Sequence, residues 1–83
     1  MSDKEFEILD ELYFVTTFDQ LMGLVNLDEI IVKNILRSLY SKGWIRILSS
    51  PEEEIMGEVD VSSNYQDYMY LASKKGLLEH NSN

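Results

Sequence analysis

The chain has 83 residues, enough interior for one domain and not for two. Hydrophobic residues make up 45% of it, which suits a small globular core and is too rich for a disordered segment. It has no cysteine, which excludes a disulfide framework and a thiolate zinc site, and its net charge of −8 weighs against binding through phosphates.

In chain order, a first helix is expected over residues 3–14. Phe6, Leu9 and Tyr13 recur at helical spacing with Ile8 and Leu12 beside them, and Asp3, Glu5 and Glu7 suit the positive end of the dipole. Thr17 opens a second helix, with Gln20 at capping-box distance and an apolar stripe of Phe18, Leu21, Leu24 and Val25. Gly23 inside it predicts close helix packing, and Asn26 a left-handed stop. Asp28 caps a third helix whose buried face is Val32, Ile35, Leu36 and Leu39, and Gly43 ends it.

Beyond Gly43 the period changes to two. Ile45 and Ile47 point one way, and Trp44, Arg46 and Leu48 the other, which predicts a strand. A long polar stretch follows, with turn-formers Pro51, Gly57, Ser62, Ser63 and Asn64 and a short strand expected over residues 58–61. Residues 68–71 read as a returning strand. Ser73 caps a last short helix over residues 74–80, with a frayed tail at residues 81–83. The expected core is Leu9, Leu12, Leu21, Leu24, Leu27, Val32, Leu36, Leu39, Ile45 and Leu71.

Two helices joined by a tight turn, then two strands enclosing a loop, predict a winged helix-turn-helix. The expected class is α+β, mainly α: a three-helix core, a two- or three-stranded wing over about residues 44–71, and a short C-terminal helix. All of it forms a single domain, residues 1–83. Residues 27–46 resemble the recognition helix and first wing strand of bacterial winged-helix regulators of the MarR type. Leu27, Val32, Leu36, Leu39, Lys42, Gly43, Ile45 and Arg46 carry the resemblance. Residues 71–78, Leu-Ala-Ser-Lys-Lys-Gly-Leu-Leu, resemble the segment after the second wing strand.

The resemblance implies a third helix whose exposed face enters the DNA major groove, here with Lys33, Asn34 and Arg37, and Arg46 on the first wing strand. Lys33, Arg37, Lys42 and Arg46 form a local basic stretch free of carboxylates. Against DNA stand Asp28 and Glu29 at the helix start, apolar Ile30 and Ile31 where small polar groups are usual, and an acidic wing. Glu52, Glu53, Glu54, Glu58, Asp60 and Asp67 lie in a span, residues 47–73, with no Lys or Arg. A module acting by protein contact or self-association is therefore the leading expectation. Its candidate contacts are Ile30, Ile31, Trp44, Tyr68 and Tyr70, and a DNA-binding regulator is the alternative.

Enzymatic chemistry is not expected. His80 is the only histidine, is expected to be exposed near the C-terminus, and has no orienting partner in the sequence. Glu52, Glu53 and Glu54 lack the spacing of a calcium loop, no glycine-rich phosphate loop is present, and neither a metal, a cofactor nor a small-molecule substrate is implied. No apolar run reaches the ~18 residues of a membrane span. Met-Ser-Asp-Lys-Glu lacks the order of a signal peptide, so a cytoplasmic location is expected.

Overall fold

The structure, a computed structural model, describes residues 1–82. It is α+β. The order is α1 (Asp3–Asp10), β1 (Thr16–Thr17), α2 (Phe18–Leu24), α3 (Glu29–Ser41), β2 (Ile45–Ser50), β3 (Glu53–Glu54), α4 (Val61–Asn64), a 3-10 turn (Tyr65–Asp67), β4 (Met69–Ala72) and α5 (Lys74–Asn81). The strands form one antiparallel sheet in the order β1-β4-β2-β3. The first strand therefore sits beside the last, with Thr16 opposite Tyr70 and Ile45 opposite Ala72.

Local signals set most boundaries. The Thr17–Gln20 capping box forms in both directions, and Ser73 accepts from the Gly76 amide at 3.0 Å. Gly43 takes φ +74°, the left-handed stop that a side chain would oppose. A second capping box, Ser2 with Glu5, opens α1.

Several expectations are corrected. The first helix stops at Asp10, not residue 14, because Tyr13, Phe14, Val15 and Thr16 favour extended backbone, and the Leu12 carbonyl accepts from the Ala72 amide at 2.7 Å. Asn26 is not left-handed; extended Val25 closes α2. Asp28 is at the N-cap of α3, yet its side chain makes no capping bond. Residues 58–61 form no strand: Asp60 accepts from the Ser62 amide and Ser63 hydroxyl, and this local bonding starts α4 instead. The strand that does form between β2 and β4 is Glu53–Glu54, and α5 runs on through Asn81.

The core lies between the helices and one face of the sheet. Leu9, Leu12, Leu21, Val32, Leu36, Leu39 and Ile45 are buried as expected. Leu27 and Leu71 are only half-buried, and Leu24 is 56% exposed, because α2 turns Leu21 inward and Leu24 out. Ile8, Phe18, Val61 and Tyr70 complete the interior. Gly23 packs against nothing: an added Cβ would meet no atom within 4 Å. Gly23→Ala should therefore stabilise the chain by about 0.5–1 kcal/mol, read as a raised midpoint in urea; a lowered midpoint would contradict the open helix surface.

Glu5, buried on α1, ties this helix to α3. Its carboxylate accepts from Ser38 at 3.0 Å and pairs with Lys42 at 2.6 Å. Burial pushes its carboxyl upward, but Lys42 and the hydrogen bonds from Ser2 and Ser38 outweigh that and hold it at about 2 instead of the usual 4.5. A depressed folded value contributes stability above the unfolded value, and that contribution is lost as pH falls from 4.5 towards 2. Glu5→Gln should thus be less stable than wild type near neutrality by at most about 3 kcal/mol, discounted because Lys42 is half-exposed. Denaturation series in urea should show the gap closing below pH 4; a gap independent of pH would remove the ion pair from the account.

Candidate functional site on the third helix

With Val32, Ile35, Leu36 and Leu39 turned into the core, the helical period leaves Ile30, Asn34, Arg37 and Ser41 facing solvent. Ile30 is 57% exposed. One flank of α3 is tied to α1 through Ser38 and Lys42. The other flank is covered by the segment between β3 and β4.

That cover is built from polar contacts around an aromatic. Glu29 accepts from the Tyr65 hydroxyl at 2.5 Å and from the Gln66 amide at 2.7 Å. The bond to Glu29 and its charge, with burial, push the Tyr65 hydroxyl above its ordinary pKa. The Tyr65 ring packs edge-on against Phe18 at 5.0 Å between centroids, and the Lys33 ammonium lies 5.9 Å above it. Further along, the Tyr40 hydroxyl donates to the Gly57 carbonyl and accepts from the Val59 amide, at 3.1 and 3.2 Å. Gly57, at φ +87°, makes the turn that brings these two backbone groups to one hydroxyl. Between α3 and this segment runs an open groove of about 560 Å³, lined by Asn34, Arg37, Ser38, Tyr40, Ser41, Val59, Asp60 and Val61.

The four basic or amide candidates are thus divided. Asn34 and Arg37 share the solvent face and the groove, with Asp60 on the groove's opposite wall. Lys33 is half-buried over Tyr65. Arg46 lies on β2, and its guanidinium pairs with Glu54 of β3. The structure therefore leaves two of the four on one accessible face, beside Asp60.

The five contact candidates fare differently again. Ile30 is exposed, whereas Ile31, Trp44 and Tyr68 are half-buried against the core. The Lys42 ammonium sits 4.8 Å from the Trp44 ring, so that face is partly covered. Tyr70 is corrected outright. It is fully buried, its hydroxyl donates to the Tyr65 carbonyl at 2.6 Å, and burial with the nearby negative groups pushes its pKa up. Along β4, Tyr70 and Ala72 turn to the buried face of the sheet while Met69 and Leu71 turn to the half-buried one, so the aromatic that looked like an anchor is core.

His80 is the other correction. It is buried, stacked on Phe6 at 4.0 Å, and shares a hydrogen bond of 2.7 Å between Nδ1 and the Tyr13 hydroxyl. Nε2 lies 3.4 Å from Asp10. Tyr13 also reaches Asn81 at 3.4 Å, so the end of α5 is docked on α1 and not frayed there; Asn83 lies outside the described residues. The histidine had no visible partner in the sequence because its partners come from the other end of the chain.

Exposed apolar residues that sequence reasoning missed are Phe14, Leu24, Met56 and Leu78. Phe14 was expected inside the first helix and is exposed because that helix ends at Asp10; Leu24 was missed because its spacing from Leu21 reads as core. Among the described residues no group of three or more acidic, histidine or cysteine side chains could hold a metal ion, and no helix is long and apolar enough to cross a membrane.

No protein-family model, curated protein or solved structure matches this chain.

Proposed function

We propose that the chain is a winged helix-turn-helix module that acts by protein contact through the exposed face of α3, without enzymatic activity. The element order supports the fold reading: three helices with a short strand between the first two, then a hairpin-like wing whose return strand β4 joins β1 and β2. The observation that carries the functional reading is Ile30. A β-branched apolar side chain, 57% exposed, stands at the start of the helix face that would otherwise meet phosphates. Beside it, Lys33 and Arg46 are engaged by Tyr65 and Glu54, and Glu29 with the acidic wing brings like charge to any nucleic acid. The partner is another protein or a second copy of this chain.

A second reading keeps DNA as the ligand, favoured by Asn34 and Arg37, which share the solvent face of α3. Fluorescence anisotropy of a labelled random-sequence duplex at about 50 mM and 200 mM salt separates the two. The protein-contact reading expects no binding at about 100 µM protein even at the lower salt. Micromolar binding that weakens steeply with salt, and falls with Arg37→Ala, would replace it with the DNA reading.

A further inference from the structure

The identity of Gly23 has no explanation inside the chain. It lies within α2 with ordinary helical φ, so no left-handed backbone requires a glycine. A Cβ there would meet nothing within 4 Å, so no neighbour in the fold requires one either. Glycine in a helix lowers stability relative to alanine, and one use of its missing side chain is to let another molecule approach the backbone closely.

What surrounds Gly23 says what approaches. It lies in an open groove of about 510 Å³ formed with Val15, Thr16, Gln20 and Leu24. Leu24 is 56% exposed, and Phe14, next in sequence to Val15, is 83% exposed. Thr16 and Thr17 form the outer strand of the sheet, with β4 on one side only, so among the described residues no strand pairs with its other edge. Residues 5–32, which supply all of these side chains, contain no Lys, Arg or His, while Glu7, Asp19 and Asp28 are exposed. An apolar floor drawn from a stretch without cations, with exposed Asp19 one turn before Gly23 on α2, fits a ligand that is apolar in the middle and cationic at its margins.

We propose that the groove between α2 and β1 docks a Lys- or Arg-bearing apolar segment of another protein, with one of its apolar side chains seated on the bare backbone of Gly23. A second copy of this chain is a poor occupant, since it brings a further net charge of −8 and the same acidic margin. The site is distinct from the α3 face and does not rest on the reading given to it.

The probe is a random-peptide phage library panned against the full chain. Enriched peptides are then synthesised and titrated by fluorescence anisotropy into wild type, Gly23→Met, Leu24→Lys and Ile30→Ser. Gly23→Met fills the groove at a helical position that has room for a side chain, and Leu24→Lys places a cation on an exposed site; both should melt no lower than wild type. The expected result is peptides that combine Leu, Ile, Phe or Met with more than one Lys or Arg. Their affinity should fall about tenfold or more in both groove variants and hold in Ile30→Ser. Four outcomes would overturn the proposal: no enrichment, peptides without cations, affinity unchanged by both groove variants, or sedimentation showing a wild-type dimer that Gly23→Met dissociates. Loss of affinity in Ile30→Ser alone would also overturn it, and would leave the α3 reading standing.

Discussion

Gly76→Ala is expected to lose about 3 kcal/mol or more and to lift α5 off the domain. The residue is buried on α5, and a Cβ added to it would stand 1.9 Å from the Trp44 carbonyl oxygen and 2.8 Å from its carbon. Both colliding groups are backbone, so no rotamer change relieves the contact. The Trp44 carbonyl also accepts the Ser73 amide at 2.9 Å, and Ser73 donates to the Gly43 carbonyl at 2.6 Å, which holds the helix start at that distance. Moving α5 away to admit a methyl group would break these bonds and pull His80 from Phe6 and Tyr13. Urea denaturation gives the global loss, and amide exchange along residues 74–81 reports whether α5 opens first. A variant within about 1 kcal/mol of wild type would mean that the helix does not pack on Trp44 in this way.

Leu36→Ala is expected to cost about 2–5 kcal/mol, against a total of roughly 5–10 kcal/mol for a domain of this size. Leu36 is fully buried on α3, in the cluster that also holds Leu9, Leu12, Leu21, Val32 and Leu39. Its truncation removes apolar contacts and leaves a cavity that the surrounding elements close only in part. Leu24→Ala provides the internal control. The chemistry is the same, yet Leu24 is largely in solvent, so the cost should stay within about 0.5 kcal/mol. Thermal melts of the pair decide the matter. Similar losses in both, or a Leu36→Ala variant that melts like wild type, would overturn the assignment of the two helix faces.

The contrast between these two leucines shows what the sequence carries and what it does not. Both stand in apolar stripes with helical spacing, and periodicity alone treats them alike. Leu36 belongs to a helix of 13 residues with Asn34, Arg37 and Ser41 on its outer face, so its inward direction was legible. Helix α2 has seven residues, about two turns, and its stripe of Phe18, Leu21 and Leu24 is too short to say which end leaves the core. Three of the local caps formed as expected, whereas Asp28 and Asn26 did not. Thr17 with Gln20, Gly43 and Ser73 act within a few positions of themselves, so nothing distant can override them.

The candidate site was legible in part for the same reason. Ile30, Asn34 and Arg37 share a face by helix geometry, and the structure keeps them together. Arg46 with Glu54, Lys33 with Tyr65 and Tyr13 with His80 are pairings between separate elements, and single residues carry no sign of them. Tyr70 and His80 were misplaced for that reason: the neighbours that bury each one arrive from elsewhere in the chain.

The pairing of Thr16 with Tyr70, and of the Leu12 carbonyl with the Ala72 amide, has a consequence for synthesis on the ribosome. The sheet joins an early strand to a late one, so two strands paired in space are made far apart in time. While α1, α2 and α3 are emerging, their apolar faces have no sheet to rest on. Closure of the long loop waits for β4 to clear the exit tunnel, and its entropy is offset only then. The domain should therefore remain open to proteases as a nascent chain stalled before residue 69 and become resistant once α5 is out, a step sharp enough to map by staged arrest.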